Sequence, residues 1–406
     1  MRAAIQEAPP APAPAARAER PQVPLLGGQL PSLTGMRWAA AFLVFLYHIK
    51  NFRYFGAEDH PLVNWAFGPG TVGVTFFFVL SGFVLAWSAR PGDKVTSFWR
   101  RRLARVYPVH VVTALIALAL AFSVLPALKP SGYKETAANL LLLSSWKIEW
   151  WQAVNPVSWS LVCEAFFYAT FPAVYAVLRR FGPRALTALV VVSIATVMVL
   201  PKVNALLDTG VVLYSFPAAR IPEFVLGIAL ARLVQLGHWR GPGLEAATAI
   251  TLIGYFMYPH FTHAFASTTV LGFALMIPAG AVADIKGTPS MWRNRRLVKL
   301  GEWSFAFYMI HVLVLQTASL VLGSKPRFDT LPALGATAAV FAVALALAAA
   351  LYHGVELPGR RLLLGKRRPI RSKGAQADSP PGTAAVPGPP ERGADAEAAT
   401  PAARRH

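Results

Sequence analysis

The sequence predicts an all-α integral membrane protein, a bundle of about ten transmembrane helices with disordered cytoplasmic tails. Three observations carry this reading. Charged residues are 14% of the 406, against roughly 25% in a typical soluble domain. Hydrophobic residues are 55%, which leaves too few polar side chains to cover a soluble surface. Between the two ends, long apolar stretches alternate with short polar breaks, and about 20 apolar residues suffice to cross the hydrocarbon core as a helix. A disordered chain would be poor in apolar residues and is excluded on the same numbers.

The elements follow in order. Residues 1–30 form an Ala/Pro-rich tail, and no apolar run follows Met1, so no cleaved signal peptide is expected. Residues 31–365 form the membrane domain, with spans expected near 36–53, 71–89, 106–126, 158–178, 184–200, 211–231, 244–260, 264–284, 302–323 and 331–353. Only a short break from Phe261 to His263 separates the seventh from the eighth. Residues 366–406, rich in Pro, Gly, Ala and Arg, read as a disordered basic tail.

Lys and Arg total 39 against 19 Asp and Glu, a net charge of +20. With the N-terminus placed in the cytoplasm, 30 of the 39 basic residues fall in cytoplasmic segments, eight fall outside, and Arg220 lies within a span. This is a positive-inside bias. It predicts a multi-pass plasma-membrane protein with both termini cytoplasmic, and it removes nucleic acid as the partner that the charge might otherwise imply. The single cysteine, Cys163, excludes an intrachain disulfide and any multi-cysteine metal site, and no metal is expected.

Charged groups inside spans are expensive and usually face a cavity. Arg37 and His48 lie eleven residues apart in the first span, which is three turns plus about 20° and about 16 Å of rise, so they share one helix face. Glu164, in Trp159-Ser160-Leu-Val-Cys163-Glu164, falls at a depth comparable to His48, where a carboxylate could orient an imidazole base. Ser81, Arg220, Glu223, Tyr308 and His311 fall near mid-membrane and, with Trp159 and Ser160, suggest the lining of one wet cavity. Arg220 and Glu223 are one turn apart and also suit mutual neutralisation. The segment Phe98-Trp-Arg-Arg101-Arg102-Leu-Ala-Arg105 is the densest basic cluster outside the tails, suited to phosphate oxygens or to setting topology. Cys163 reads as packing rather than as a nucleophile.

These residues resemble the motifs of the membrane acyltransferase family 3, integral-membrane acyltransferases that modify sugars, lipids and antibiotics. Arg37 and His48 are similar to its Arg-x10-His motif, and Gly73 to Phe83 to its second-helix signature. Phe98 to Pro108 resembles its basic loop, and Trp159 to Glu164 its Trp-Ser-Leu-x-x-Glu motif. Arg220 to Gly227, Gly301 to His311 and Val355 to Pro358 complete a set that covers about residues 30–363. The opening Leu30 to Arg37 is similar to actinomycete members, macrolide O-acyltransferases among them. Two departures stand out: relatives often carry an acidic residue near Thr75 and a second glutamate where this chain has Ala165. The tail is expected to carry no second, esterase-like domain of the kind some relatives fuse.

The resemblance implies O-acyl transfer from acyl-CoA, as co-substrate rather than bound cofactor, to a hydroxyl of a carbohydrate, lipid or secondary metabolite. On that reading Arg101, Arg102 and Arg105 hold the donor's phosphates with Arg37 at the inner mouth. His48 is the general base or first acyl acceptor, and Glu164 orients it. The rival class is an ion-coupled carrier, which also uses intramembrane Arg, Glu and His. No pair of broken helices in two related halves supports that class, and covalent transfer without vesicles discriminates the two.

Overall fold

The computed structural model describes residues 28–56, 61–90, 92–208, 211–257 and 269–365. The expected tails at 1–27 and 366–406 and the expected break at Phe261 to His263 lie outside the described residues. The described chain folds into α1 (Pro31–Asn51), α2 (Pro61–Phe67), α3 (Val72–Trp87), α4 (Val95–Ser123), α5 (Tyr133–Leu140), α6 (Trp159–Leu178) and α7 (Pro183–Leu207). It continues as α8 (Ile221–Gln235), α9 (Leu244–Met257), α10 (Thr269–Lys286), α11 (Arg295–Leu322), α12 (Thr330–Leu351) and α13 (Leu357–Leu364). A helix lies at each expected span. Seven stretches of helix among the described residues are long and apolar enough to cross a membrane. The other three expected spans correspond to α1, which carries Arg37, His48 and Lys50 among its apolar residues, to α8 with 15 residues and to α9 with 14.

The first helix is central. Pro31 opens it, with its φ already set for a helix and no N–H to satisfy. Asp284 of α10 caps it from across the bundle: Ser32 N–H donates to Oδ2 at 2.8 Å and its hydroxyl to Oδ1 at 2.7 Å. A carboxylate there also meets the positive end of the helix dipole. Trp38, Phe42 and Phe45 on α1 pack with Phe307 on α11 and Phe341 on α12, with ring centroids 5.2 Å (Trp38–Phe307) and 5.6 Å (Phe45–Phe341) apart. This aromatic cluster fixes the rotation of α1 against α11, and hence where Arg37 and His48 point.

Helices α3 and α8 touch backbone to backbone. A Cβ on Gly82 would sit 2.0 Å from the Phe224 carbonyl oxygen, and one on Gly227 would sit 1.9 Å from that of Val79. Only glycine permits this approach, the small-residue packing that membrane bundles use in place of a hydrophobic driving force.

Between α5 and α6 the chain is irregular yet buried, with Ser144, Ser145, Val154, Asn155 and Ser158 all inside the bundle. Backbone buried away from water must find partners in the protein. Asn139 supplies one, donating from Nδ2 to the Ala153 carbonyl at 2.8 Å, and it also donates to the Ser158 hydroxyl at 2.7 Å. Asn155 Nδ2 donates to the Met309 carbonyl in the middle of α11 at 2.9 Å. Val154 is held at φ 62°, a left-handed conformation that a β-branched residue adopts only under constraint. Helix α6 therefore begins inside the bundle, which decides how deep Ser160 and Glu164 sit.

After α12 the helix widens into one π turn, Tyr352–Glu356, before α13. Such turns are frequent at functional sites.

Candidate active site

A cavity of about 570 Å³ opens between α1, α3, α4, α6, α11 and the π turn. One end is ionic: Arg37, Arg102, Arg105, Arg360, Glu164, Glu302 and Glu356 line it, together with Tyr168 and Tyr352. The other end closes on Val74, Phe77, Ser160, Tyr308 and Met309. Ser81 lines the wall between.

Each ionic side chain is set by its element. Arg37 comes from the first third of α1, and Arg102 and Arg105 lie one turn apart on α4. Glu164 sits in the second turn of α6 and accepts a hydrogen bond from the Tyr168 hydroxyl at 2.9 Å. Arg105, Arg37 and Arg102 are the cations that act on Glu164, and Arg105, Arg37 and Arg360 those that act on Glu356. The carboxylates thus counter the arginines without saturating them. Arg102 Nε and Glu356 Oε2 are buried and make no hydrogen bond among the described residues.

The histidines lie just past the closed end. His48 Nδ1 donates to the Val44 carbonyl one turn back at 2.8 Å. His311 Nε2 lies 3.3 Å from the same nitrogen, and the two rings stand nearly perpendicular, with centroids 4.9 Å apart. His311 Nδ1 donates to the carbonyl of Tyr308, whose side chain lines the cavity, at 2.7 Å. Phe307 stacks on His311 at 5.8 Å and Phe45 meets its edge at 6.4 Å, so the α1–α11 aromatic cluster clamps this ring.

Several expectations change. Glu164 does not pair with His48: its hydrogen-bond partner is Tyr168, with the arginines near enough to act on its charge, and the partner of His48 is His311. The buried entry to α6 removes the simple depth count that put Glu164 and His48 level. Arg101 lies off the cavity, with its side chain 43% exposed and paired to Asp93. Trp159 also lies off it, its ring packed on Tyr214 at 4.4 Å. Arg220 and Glu223 form a buried pair at 2.9 Å behind the wall, and Arg220 Nη2 also donates to Thr75 Oγ1 at 2.9 Å. Phe78, with Arg220 over its ring at 5.0 Å, lines the cavity in their place. Thr75 thus meets Arg220, and Glu223 supplies the countercharge. His311 is buried beneath Tyr308 rather than lining the space. Cys163 is fully buried, its Sγ 3.6 Å from the Ser215 carbonyl, and packs as an inert side chain.

The structure adds Tyr168, Glu302, Tyr352, Glu356 and Arg360, which sequence reasoning did not assign to the site. Tyr168 was findable as the i+4 neighbour of Glu164 on a helix. Glu356 was findable as a lone acid closing the last apolar stretch. Glu302 and Arg360 carry no such local signal. Among the described residues no three His, Cys, Asp or Glu side chains converge in a way that could hold a metal ion.

Arginines at one end and an imidazole pair beyond the other suit a phosphorylated group-transfer substrate whose reactive end lies far from its anionic end. The comparisons with known proteins show the group that is transferred, an acyl group. A family model described as an acyltransferase domain matches residues 30–353. The chain is 38% identical over 367 residues to the acyltransferase MdmB of Streptomyces mycarofaciens, covering 84% of this chain and 94% of that protein. It is 27% identical over 221 residues to the O-acetyltransferase OatA of Staphylococcus aureus, covering 50% of this chain and 34% of that one. It is 28% identical over 184 residues to the peptidoglycan O-acetyltransferase OatA of Listeria monocytogenes, covering 40% and 27%. No solved structure matches it. The chain belongs to the membrane acyltransferase family 3 and is an integral-membrane O-acyltransferase.

Proposed function

We propose that this O-acyltransferase takes its acyl group from acyl-CoA and transfers it to a hydroxyl of a carbohydrate, lipid or secondary metabolite. The observation that carries the reading is the polarity of the cavity, cationic at the Arg37 end and closed at the Tyr308 end, beyond which the Tyr308 carbonyl holds His311 against His48. Arg102 and Arg105 would hold the donor's phosphates, because guanidinium forks match phosphate oxygens. Arg37 would sit beside them. The pantetheine arm would run along α1 past Ser81, and the thioester would reach His48 where the Phe77 and Tyr308 rings, in edge contact with centroids 6.3 Å apart, give way.

His48 would act as general base on the acceptor hydroxyl, a role that typically contributes about 10²–10⁴-fold in rate. The positive-inside bias supports a plasma-membrane enzyme with the arginine mouth and both termini facing the cytoplasm, where acyl-CoA is made. A secondary-metabolite acceptor, such as a macrolide, is favoured by the likeness to a Streptomyces acyltransferase over nearly its whole length.

The test uses the purified full chain in detergent with labelled acyl-CoA and candidate acceptors. Covalent transfer to a hydroxyl, abolished by His48→Ala in a protein that remains folded, supports the reading. Full activity of His48→Ala overturns the role of His48. Transfer from another donor but not from acyl-CoA overturns the donor.

A further inference from the structure

The hydrogen bonds around His48 and His311 fix where their protons sit. A carbonyl oxygen can only accept. At 2.8 Å from the Val44 carbonyl, His48 Nδ1 must carry a proton, and at 2.7 Å from the Tyr308 carbonyl so must His311 Nδ1. In a neutral imidazole one nitrogen is protonated and the other is not. The neutral form of His311 therefore has its lone pair on Nε2, which lies 3.3 Å from His48 Nδ1. The His48 Nδ1 proton is shared between the Val44 carbonyl and this lone pair, a three-centre arrangement.

The reverse assignment would place the proton of the imidazole contact on His311 Nε2. It would make His311 a doubly protonated cation with no surface exposed, stacked on Phe307. It would also set a lone pair on His48 Nδ1 against the Val44 carbonyl. Both features are costly.

We infer that His311 is a positioning residue, whose Nε2 accepts the Nδ1 proton of His48 and so holds the His48 lone pair on Nε2, the nitrogen left to act as base. This rests on the reading of His48 as the base. His48 is half-buried, and its Nε2 takes no hydrogen bond among the described residues.

The proton count then closes. His48 Nε2 takes the hydroxyl proton as the acceptor oxygen attacks the thioester carbonyl. The carbon–sulfur bond breaks, and Nε2–H returns that proton to the departing thiolate, leaving an ester, a free thiol and neutral His48. While His48 is an imidazolium, its Nδ1–H bond to His311 becomes charge-assisted and stronger. His311 thus contributes most in the transition state without touching substrate. The Tyr308 carbonyl completes the chain, which explains why the residue at the cavity's closed end lies one turn before His311 on α11.

The experiment compares two substitutions and one spectrum on the full chain. His311→Leu removes the acceptor, and kcat is expected to fall about 10- to 100-fold, within what a general base supplies, with the donor KM little changed. His311→Gln keeps an acceptor oxygen at a similar reach and restores much of kcat. A purely structural role for His311 would not give this split or this rescue. Solid-state NMR of ¹⁵N-histidine-labelled protein reads the tautomer directly, with His48 assigned among the nine histidines by its loss in His48→Ala. A protonated His48 Nδ1 that shows a through-hydrogen-bond ¹⁵N–¹⁵N correlation to a bare His311 Nε2 supports the inference even where His311→Leu fails to fold, and the absence of that correlation overturns it. A protonated Nε2 on neutral His48 overturns it, as does full kcat in folded His311→Leu while His48→Ala is dead. An active His48→Ala would instead overturn the base assignment beneath it.

Discussion

The Tyr168 hydroxyl donates to Oε2 of Glu164 at 2.9 Å, one turn along α6. The bond holds the carboxylate on the cavity wall with Arg37, Arg102 and Arg105 near it, and among the described residues no hydrogen bond joins it to the imidazole pair. A carboxylate in that position balances the charge of the arginines and sets their spacing. It cannot orient a base that is already held by Val44 and His311.

Glu164→Gln is accordingly expected to change the apparent donor affinity several-fold and to make it more salt-dependent, because the arginines lose a countercharge. The ¹⁵N signals of His48 should not move. A changed His48 tautomer in Glu164→Gln would restore a direct coupling between the two residues.

The arginines of α4 should separate by function. Arg105→Ala and Arg102→Ala remove cavity-lining guanidinium groups and are expected to raise the donor KM about ten-fold or more each, the size of a lost charge-assisted hydrogen bond of about 1.5–3 kcal/mol. Arg101→Ala removes an exposed pair to Asp93, of a kind worth little in water, and should leave KM within about two-fold. Initial rates against donor concentration at low and high salt check all three.

Gly82 and Gly227 are the tightest points of the α3–α8 crossing, where a Cβ would meet a backbone oxygen that cannot swing away. Gly82→Ala or Gly227→Ala is expected to force the helices apart and cost about 1–3 kcal/mol or more. Thermal unfolding in detergent should show a lower Tm for each. An unchanged Tm in either would mean that the crossing is not this close.

Asn155 ties the buried entry of α6 to the middle of α11 through the Met309 carbonyl. Asn155→Leu leaves polar backbone without its partner inside the bundle, at a cost of about 1–3 kcal/mol. Both Tm and kcat should fall, because Ser160 and Tyr308 at the closed end of the cavity flank this tie. A loss of kcat with full Tm would show that Asn155 acts on the reaction rather than on the fold.

Much of the fold was legible because lipid imposes a one-dimensional code. A helix that spans must be apolar over its length, so each expected stretch holds a helix. Polar residues hide the starts of α4, at Val95 rather than 106, and of α11, at Arg295 rather than 302, and α8 begins at Ile221 rather than 211. Arg37 and His48 were legible as one face of α1 for the same reason: spacing along a helix is fixed by its pitch. Where the backbone leaves that code, depth was not readable. The segment from Leu141 to Ser158 enters the bundle without spanning it, held by Asn139 and Asn155, and it moved Glu164 away from His48.

The sequence by itself determined the class, the family and the identity of the polar residues that lipid would not tolerate without a purpose. Only the tertiary structure decided which of those residues meet: His48 with His311, Glu164 with Tyr168, Arg220 with Glu223 and Thr75 behind the wall. The physical reason is that burial is a property of one helix and can be read along the chain. Partnership depends on the rotation and depth of two helices at once, and side-chain packing such as the Trp38–Phe307–Phe341 cluster sets both.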